Sequence, residues 1–304
     1  MTKVLSIAIC SYNRADQLAI TLDSLVSHKV ELQPDDEIIL IDNNSNDHTK
    51  GVYQQYAEQL PLVYCFAAKQ GLAVARNLAL EKFCTDAVIF IDDDITIKSG
   101  FIKAYRQALS ELPNNVFLGG PIEVDWRGKQ PKWYRSGEHP LLSGLVGDYN
   151  LGSALLQYSI GDLLPYGANF VLSRESVEVV GAFDENLGVR GDTIERGEES
   201  DYFERALQKG LNGYYVPAAQ VSHRFQLDRI NTIYLLRYGM AKGRTSDFDS
   251  RQTMLQTVLE ILKLLPKSAY QLLKWRIANF YQCVINLGIQ VATLVRQVRL
   301  NKNE

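Results

Sequence analysis

Two runs, Ile38-Ile39-Leu40-Ile41 and Val88-Ile89-Phe90-Ile91, are apolar at every position, and each is followed at once by an aspartate. A strand with one face in water alternates apolar and polar residues. One that is apolar throughout must be covered on both faces, as in a parallel sheet wrapped by helices. The rest of the amino-terminal half supplies those helices: strand-like runs at residues 4–9, 37–41, 63–66 and 87–91 alternate with helical patterns at 15–27, 49–59, 72–83 and 99–111. The expectation is an open α/β sheet. Ligands of such sheets sit beyond the carboxyl ends of the strands. The polar clusters Tyr12-Asn13-Arg14, Asp42-Asn43-Asn44-Ser45 and Asp92-Asp93-Asp94 all fall there, so three strand ends point at one site.

Downstream, residues 121–165 carry Trp126, Pro131, Trp133, Pro140 and several glycines, and read as a long ordered loop that shapes a site. A strand at 167–172, a short helix at 174–180, a helix at 200–209 ending at Gly210, and strands at 213–216 and 219–223 follow. Beyond His223 the pattern turns helical, and a boundary near Leu227 divides a catalytic domain, 1–226, from a helical region, 227–304. Residues 277–295 are uncharged and long enough to span a bilayer. However, Asn279, Gln282, Asn286, Gln290 and Thr293 recur at steps of three and four, which makes an amphipathic helix the expectation. It would pack on the protein or a second copy, or lie on a membrane surface with help from Lys263, Lys267, Lys274, Trp275 and Arg276. The amino terminus lacks the uninterrupted apolar stretch of a secretory signal.

With 304 residues, 46% of them hydrophobic, the chain can bury a large core. A net charge of −3 gives no global basic field for nucleic acid. Four scattered cysteines without a CxxC pair fit a reducing compartment. Neither GxxxxGK[ST] nor GxGxxG occurs, so a P-loop and a dinucleotide fingerprint lack support.

Three adjacent carboxylates at Asp92, Asp93 and Asp94 repel one another unless a cation neutralises them, and hard oxygen ligands select Mg²⁺ or Mn²⁺. Asp42 suits a base edge or ribose hydroxyl; the bland reading is an Asx turn. Asp47 could cap the next helix. Arg76, on a helix opened by Gly71, could pair with phosphate or base oxygens, although a lone helix arginine is ordinarily a surface residue. Gly197-Glu198-Glu199-Ser200-Asp201 opens a helix, where acids are favoured by the dipole whether or not they act as a base. Asp201 and Arg205 are four apart and can pair, leaving Glu198 and Glu199 as the freer acids. His223 at a strand end is either structural or a metal ligand.

Taken in order, these segments closely resemble glycosyltransferase family 2, the inverting nucleotide-sugar enzymes of GT-A fold, over roughly residues 3 to 225. Ser6-Ile7-Ala8-Ile9-Cys10-Ser11-Tyr12-Asn13-Arg14 looks like its opening strand and nucleotide loop, Ile41-Asp42-Asn43-Asn44-Ser45 its second nucleotide segment, and Gly71 with Ala75-Arg76-Asn77 its Gly…ARN helix. Phe90-Ile91-Asp92-Asp93-Asp94 is similar to its DxD segment. Gly167-Ala168-Asn169-Phe170 with Gly181-Ala182-Phe183-Asp184-Glu185 resembles its acceptor-side loop, and Gly197-Glu198-Glu199-Ser200-Asp201 its GEDxD element. The family's acid pair is commonly Glu-Asp; here it is Glu198-Glu199.

The resemblance implies a GT-A, Rossmann-like open mixed sheet flanked by helices, with a carboxyl-terminal helical appendage. It implies transfer of a sugar from a UDP- or GDP-type donor to a saccharide or lipid-linked acceptor, in polysaccharide or glycoconjugate biosynthesis at the cytoplasmic membrane face. Glu199 becomes the base. Ser11, Tyr12, Asn13, Arg14, Asp42, Asn44, Arg76, Asp92 and Asp93 become nucleotide contacts. Gly167, Ala168, Asn169, Glu198 and Asp201 border acceptor or donor sugar, and Asp94, Asp92 and His223 hold Mg²⁺ or Mn²⁺. Transmembrane spans and the QxxRW motif of processive members are not visible, which favours single-sugar transfer. The competing classes are a metal-dependent nucleotidyltransferase and a non-catalytic sugar-nucleotide or polysaccharide-binding module.

Overall fold

A computed structural model describes residues 3–191, 195–227, 230–245 and 254–300. In chain order the elements are β1 (Leu5–Ser11), α1 (Ala15–Ser27), β2 (Glu37–Asp42), α2 (Thr49–Tyr56), β3 (Leu62–Phe66), α3 (Leu72–Lys82), β4 (Ala87–Asp92), β5 (Ile95–Ile97), α4 (Phe101–Glu111), β6 (Val116–Gly119) and β7 (Ile122–Asp125). They continue as α5 (Pro140–Val146), β8 (Leu156–Gln157), β9 (Asn169–Ser173), α6 (Arg174–Val180), α7 (Glu198–Gln208), β10 (Asn212–Tyr215), β11 (Val221–Arg224), α8 (Thr232–Thr245), α9 (Met254–Leu273) and α10 (Ile277–Leu300).

The main sheet has the order β3-β2-β1-β4-β9-β6-β10-β8, and a smaller sheet has the order β5-β11-β7. β1, β2, β3 and β4 run parallel, whereas β9 runs antiparallel between β4 and β6, which makes the sheet mixed. The continuously apolar runs are its centre: residues 38–41 and 88–91 are buried throughout, and on α1 Leu18, Leu22 and Leu25 form the stripe that packs inward. Each such side chain stabilises the fold by about 1.5–3 kcal/mol relative to exposure.

Register decides where the polar clusters go. Ser11 lies opposite Asp42 on β2, and Cys10 lies opposite Asp92 on β4, so the ends of the three strands are level. On the smaller sheet, His223 pairs with Ile95, the residue after Asp94, and this brings the imidazole to the acidic turn.

The chain packs as two units. The first comprises residues 1–125, 147–191 and 198–224, and the second 126–146, 192–197 and 225–304. In the second unit Trp126 meets Tyr134 and Phe225 edge to face, and Trp133 does the same with Tyr281. α8 and α10 cross backbone to backbone at Gly239 and Gly288: a Cβ at Gly239 would lie 2.1 Å from the Ile285 carbonyl oxygen, and one at Gly288 2.3 Å from that of Leu236. Only glycine permits that approach.

Three expectations change. The stretch 121–165 is not one irregular loop, since it holds β7, α5 and β8. The helix expected at 200–209 begins two residues earlier, so Glu198 and Glu199 belong to its first turn. The amide stripe of α10 is half-buried rather than its water face, while Val295, Arg296, Val298 and Arg299 are exposed. By length and composition α10 could cross a membrane, and one third of that stretch, 33%, is buried within the protein.

Candidate active site

The strand-end clusters, Arg76, residues 198–201 and His223 lie in the first unit. At the end of β1, Asn13 adopts a positive φ of 52°, its backbone N–H donates to Ser45 Oγ at 3.0 Å, and its own Oδ1 accepts from Asn46 N–H at 2.8 Å. Asn44 is also left-handed, with φ 66°. The loops after β1 and β2 are thereby stitched together, with Tyr12 half-buried and Asn13 exposed beside them. Asp47 starts two helices, accepting from Thr49 N–H and from Ala15 N–H, both at 3.0 Å.

Asp42 is buried. Its Oδ1 accepts from Ser45 N–H at 2.8 Å and its Oδ2 from Tyr64 Oη at 2.6 Å. The Asx turn that was the bland reading of Asp42 is therefore present, and both carboxylate oxygens already hold donors. Tyr64 was not singled out from sequence; its place opposite Leu40 on the neighbouring strand is the only signal for it.

The three aspartates have three environments. Asp92 is partly exposed at the strand end, while Asp93 and Asp94 are buried. Asp93 accepts from Ser11 Oγ at 2.7 Å and pairs with Arg14 Nη1 at 2.9 Å, which makes it an internal anchor for Arg14. Arg14 Nη2 also donates to Asp94 Oδ2. Burial pushes the Asp93 carboxyl up to about 7. Burial also opposes the charge on Asp94, but His223 and Arg14 overcome it and hold that carboxyl well below the usual range. Asp94 Oδ1 accepts no hydrogen bond among the described residues and lies 3.4 Å from His223 Nε2.

Backbone contacts fix this turn. The single Thr21 Oγ1 proton is shared between the carbonyls of Asp93 and Ile95, both at 2.8 Å, and Arg224 N–H donates to that of Asp94 at 3.0 Å. Gly147, with φ 76°, lies so close to His223 that a Cβ would come within 2.9 Å of Nδ1. Neither Arg224 nor Gly147 was read from sequence as part of the site.

Arg76 departs most from expectation. It is a buried residue of α3, not a surface one. Nη1 donates to Glu198 Oε1 at 2.6 Å and Nη2 to the Gly167 carbonyl at 3.1 Å, with Asp92 Oδ1 3.9 Å away. The guanidinium lies over the rings of Phe170 and Phe183. It ties the first turn of α7 to the end of β4. Burial works against its charge, but Glu198, Glu199 and Asp92 hold its pKa above the ordinary value.

Glu198 is accordingly not one of the freer acids. It is buried against Arg76, and its Oε2 faces Gly188, where a Cβ would sit 2.8 Å away. Burial and the neighbouring Glu199 push its carboxyl up to about 8 against the pull of Arg76. Glu199 is half-buried beside it. Asp201 pairs with Arg205 at 2.8 Å, and Arg205 also donates to the Val180 and Ala182 carbonyls, so Asp201 fastens α7 to the segment after α6. Asn169 is fully engaged: Tyr105 Oη donates to its Oδ1 at 2.6 Å, and its Nδ2 donates to the carbonyls of Pro121 and Ala219 at 3.1 and 2.8 Å. It clamps chain segments together. Ala168 is buried, and half-buried Gly167 offers its carbonyl to Arg76.

Asp92, the Asp94–His223 pair and Arg14 stand at the strand ends, and Arg76 links Asp92 to Glu198, the neighbour of Glu199. The arrangement can hold a cation and its anionic ligand on one side and present a carboxylate on the other.

The family model described as glycosyl transferase family 2 matches residues 6–180. The chain is 24% identical to a succinoglycan biosynthesis protein, ExoM, of Rhizobium meliloti over 245 residues, 79% of this chain and 73% of that protein. It is 25% identical to a glucosyl-dolichyl phosphate glucuronosyltransferase of Haloferax volcanii over 223 residues, 72% of this chain and 68% of that protein. Among solved structures it resembles GalNAc-T7 with UDP, GalNAc and Mn²⁺, with a TM-score of 0.56 and 17% identity, over 96% of this chain and 58% of that one. It also resembles the mannosyltransferase PcManGT of Pyrobaculum calidifontis with GDP-Man and Mn²⁺, with a TM-score of 0.54 and 14% identity, over 98% and 76%. At these identities the two structures speak for the GT-A fold.

Proposed function

The chain belongs to glycosyltransferase family 2 and is a nucleotide-sugar glycosyltransferase of glycan biosynthesis, and from that premise we propose how its residues divide the work. The observation that carries the proposal is Arg76, whose guanidinium holds Glu198 at 2.6 Å and lies 3.9 Å from Asp92. It supports a single hollow with the acidic strand end on one side and Glu199 on the other.

The residues present fit a divalent cation. Asp94 Oδ1 is a buried carboxylate oxygen with no hydrogen-bond donor, and it faces a histidine nitrogen. Asp94 and His223 would hold Mg²⁺ or Mn²⁺, with Asp92 beside them, and the ion supplies neutralisation of the leaving diphosphate. The solved relatives contain Mn²⁺ with UDP or GDP-mannose, which supports a UDP- or GDP-type donor here.

Ser11, Tyr12, Asn13, Arg14 and Asn44 form the loops against which the nucleotide lies. Glu199 accepts the proton of the acceptor hydroxyl as that oxygen attacks the anomeric carbon from the face opposite the diphosphate. The new carbon–oxygen bond forms while the bond to the diphosphate breaks, and the diphosphate leaves with that electron pair. Configuration inverts in one displacement, and one base suffices. The acceptor is a saccharide or lipid-linked saccharide at the cytoplasmic face of the membrane, in keeping with the polysaccharide and dolichyl-phosphate relatives. Residues 1–226 perform the transfer, and residues 227–304 serve packing, oligomerisation or membrane-surface association.

Chelation tests the cation. Protein treated with EDTA is expected to lose transfer and recover it with Mn²⁺ or Mg²⁺. By titration calorimetry, Asp94→Asn should weaken metal-dependent binding of UDP or GDP by about 10–100-fold. Unaltered binding in that variant would move the cation away from Asp94.

A further inference from the structure

We infer that α9 is a docking face for an anionic lipid surface. The inference does not rest on the catalytic assignments above, because it concerns a helix of the second unit and is read without donor or acceptor.

One side of α9 packs inward, with Thr257 fully buried and α10 as its neighbour. The opposite side carries Leu255, Leu259, Leu262, Pro266, Tyr270 and Leu273, at steps of four, three, four, four and three. On an α-helix these steps place the six residues in one row, about 27 Å long. A helix that packs one face on its own protein ordinarily presents charge on the other. Here Leu255, Leu259, Leu262, Tyr270 and Leu273 are between 45% and 79% exposed. The row is continuous, so it is not the scatter of single apolar residues that any surface shows.

Charge selects the occupant. Lys263, Lys267 and Lys274 all fall on the same flank of the row at 100° per residue, and Arg276 follows the helix end. Glu260 is the one acid between Met254 and Arg276, and it is bonded to Lys263 at 2.7 Å. This stretch is therefore positive in a chain whose net charge is −3. A second copy laid row against row would meet the same lysine flank and bring almost no acid to match it. Anionic headgroups match it directly: the leucines enter the acyl boundary while the lysine stems reach back to the phosphates. Trp275, 86% exposed at a positive φ of 54°, stands at the end of the row where an interfacial anchor belongs.

Sedimentation of the full-length protein with vesicles tests this. Vesicles of phosphatidylcholine plus phosphatidylglycerol should carry down at least about tenfold more protein than phosphatidylcholine alone, and less at high salt. Leu259→Glu with Leu262→Glu should lower the bound fraction at least about tenfold, with circular dichroism and donor binding unchanged; Lys263→Gln with Lys267→Gln should reduce the preference for the anionic vesicles. Three results would each overturn the inference. The wild-type protein could stay in the supernatant with anionic vesicles, or the leucine variant could sediment like wild type. Alternatively, ultracentrifugation could find a dimer that the leucine variant converts to monomer, which would make a second copy the occupant of the row.

Discussion

Glu199→Gln is expected to lower the transfer rate by about 10²–10⁴-fold, the range for loss of a general base, while donor binding stays within about twofold of wild type. The amide is nearly the size of the carboxylate but cannot accept the hydroxyl proton, so the loss should appear in kcat and not in donor affinity. The structure gives a reason to expect that separation. Glu199 is half-buried in the first turn of α7, and its neighbour Glu198, not Glu199, holds Arg76. Removing the Glu199 charge therefore leaves the buried ion pair in place. Glu198→Gln should behave differently, because it discharges one side of that pair and alters the position of α7. If Glu199→Gln retained turnover, the base would have to be sought at Glu198 or Asp201, in the same first turn of α7.

Above about pH 8, where Glu198 is ionised in wild type, Arg76→Met should destabilise the fold by about 3–5 kcal/mol, the cost of leaving a buried carboxylate without its partner. Both side chains are buried, at 3% exposure each, so solvent does little to screen the loss. The pH dependence carries the sign. In wild type Arg76 opposes the burial that pushes the Glu198 carboxyl up, and without it the upward shift grows. A carboxyl whose folded pKa lies above its unfolded value binds its proton more tightly when folded. Its penalty is thus absent below the ordinary pKa of 4.5 and develops as the pH rises through the elevated folded value. The gap between Arg76→Met and wild type in urea unfolding should therefore stay level up to about pH 8, where both folded forms keep the proton, and widen above it as wild-type Glu198 ionises and the variant does not. Adding Glu198→Leu should recover much of it, because an apolar pair can replace a buried ion pair. A gap that stays level above pH 8 as well would show that Arg76 acts through packing on Phe170 and Phe183 instead.

Much of the active face was legible because short-range rules govern it. The runs at 38–41 and 88–91 must be covered on both faces, so Asp42 and Asp92 must stand at strand ends; α1 and α6 have the bounds their patterns indicate, and Asp201 pairs with Arg205 as their spacing allows. What escaped depends on partners far along the chain. Arg76 and Glu198 are 122 residues apart, and nothing near either one marks it as half of a buried pair. Asn169 reads as a polar residue beside a strand until Tyr105, Pro121 and Ala219 close on its amide. Asp42 looks like a ligand because its second donor, Tyr64, belongs to another strand. The antiparallel course of β9 leaves no trace in an apolar run, which reads the same in either direction. Charge patterning marked the carboxyl-terminal lysines but not the helix face they serve. α10 drew attention by its length, while the exposed row is on α9.

Anomalous diffraction at the manganese edge, from crystals grown with Mn²⁺ and UDP or GDP, tests the central claim most directly. The expected result is a peak at bonding distance from Asp94 Oδ1 and His223 Nε2, with the diphosphate beside it and the Glu199 carboxylate facing the same hollow. A peak bound elsewhere, or a nucleotide seated where Glu199 cannot border it, would contradict the account.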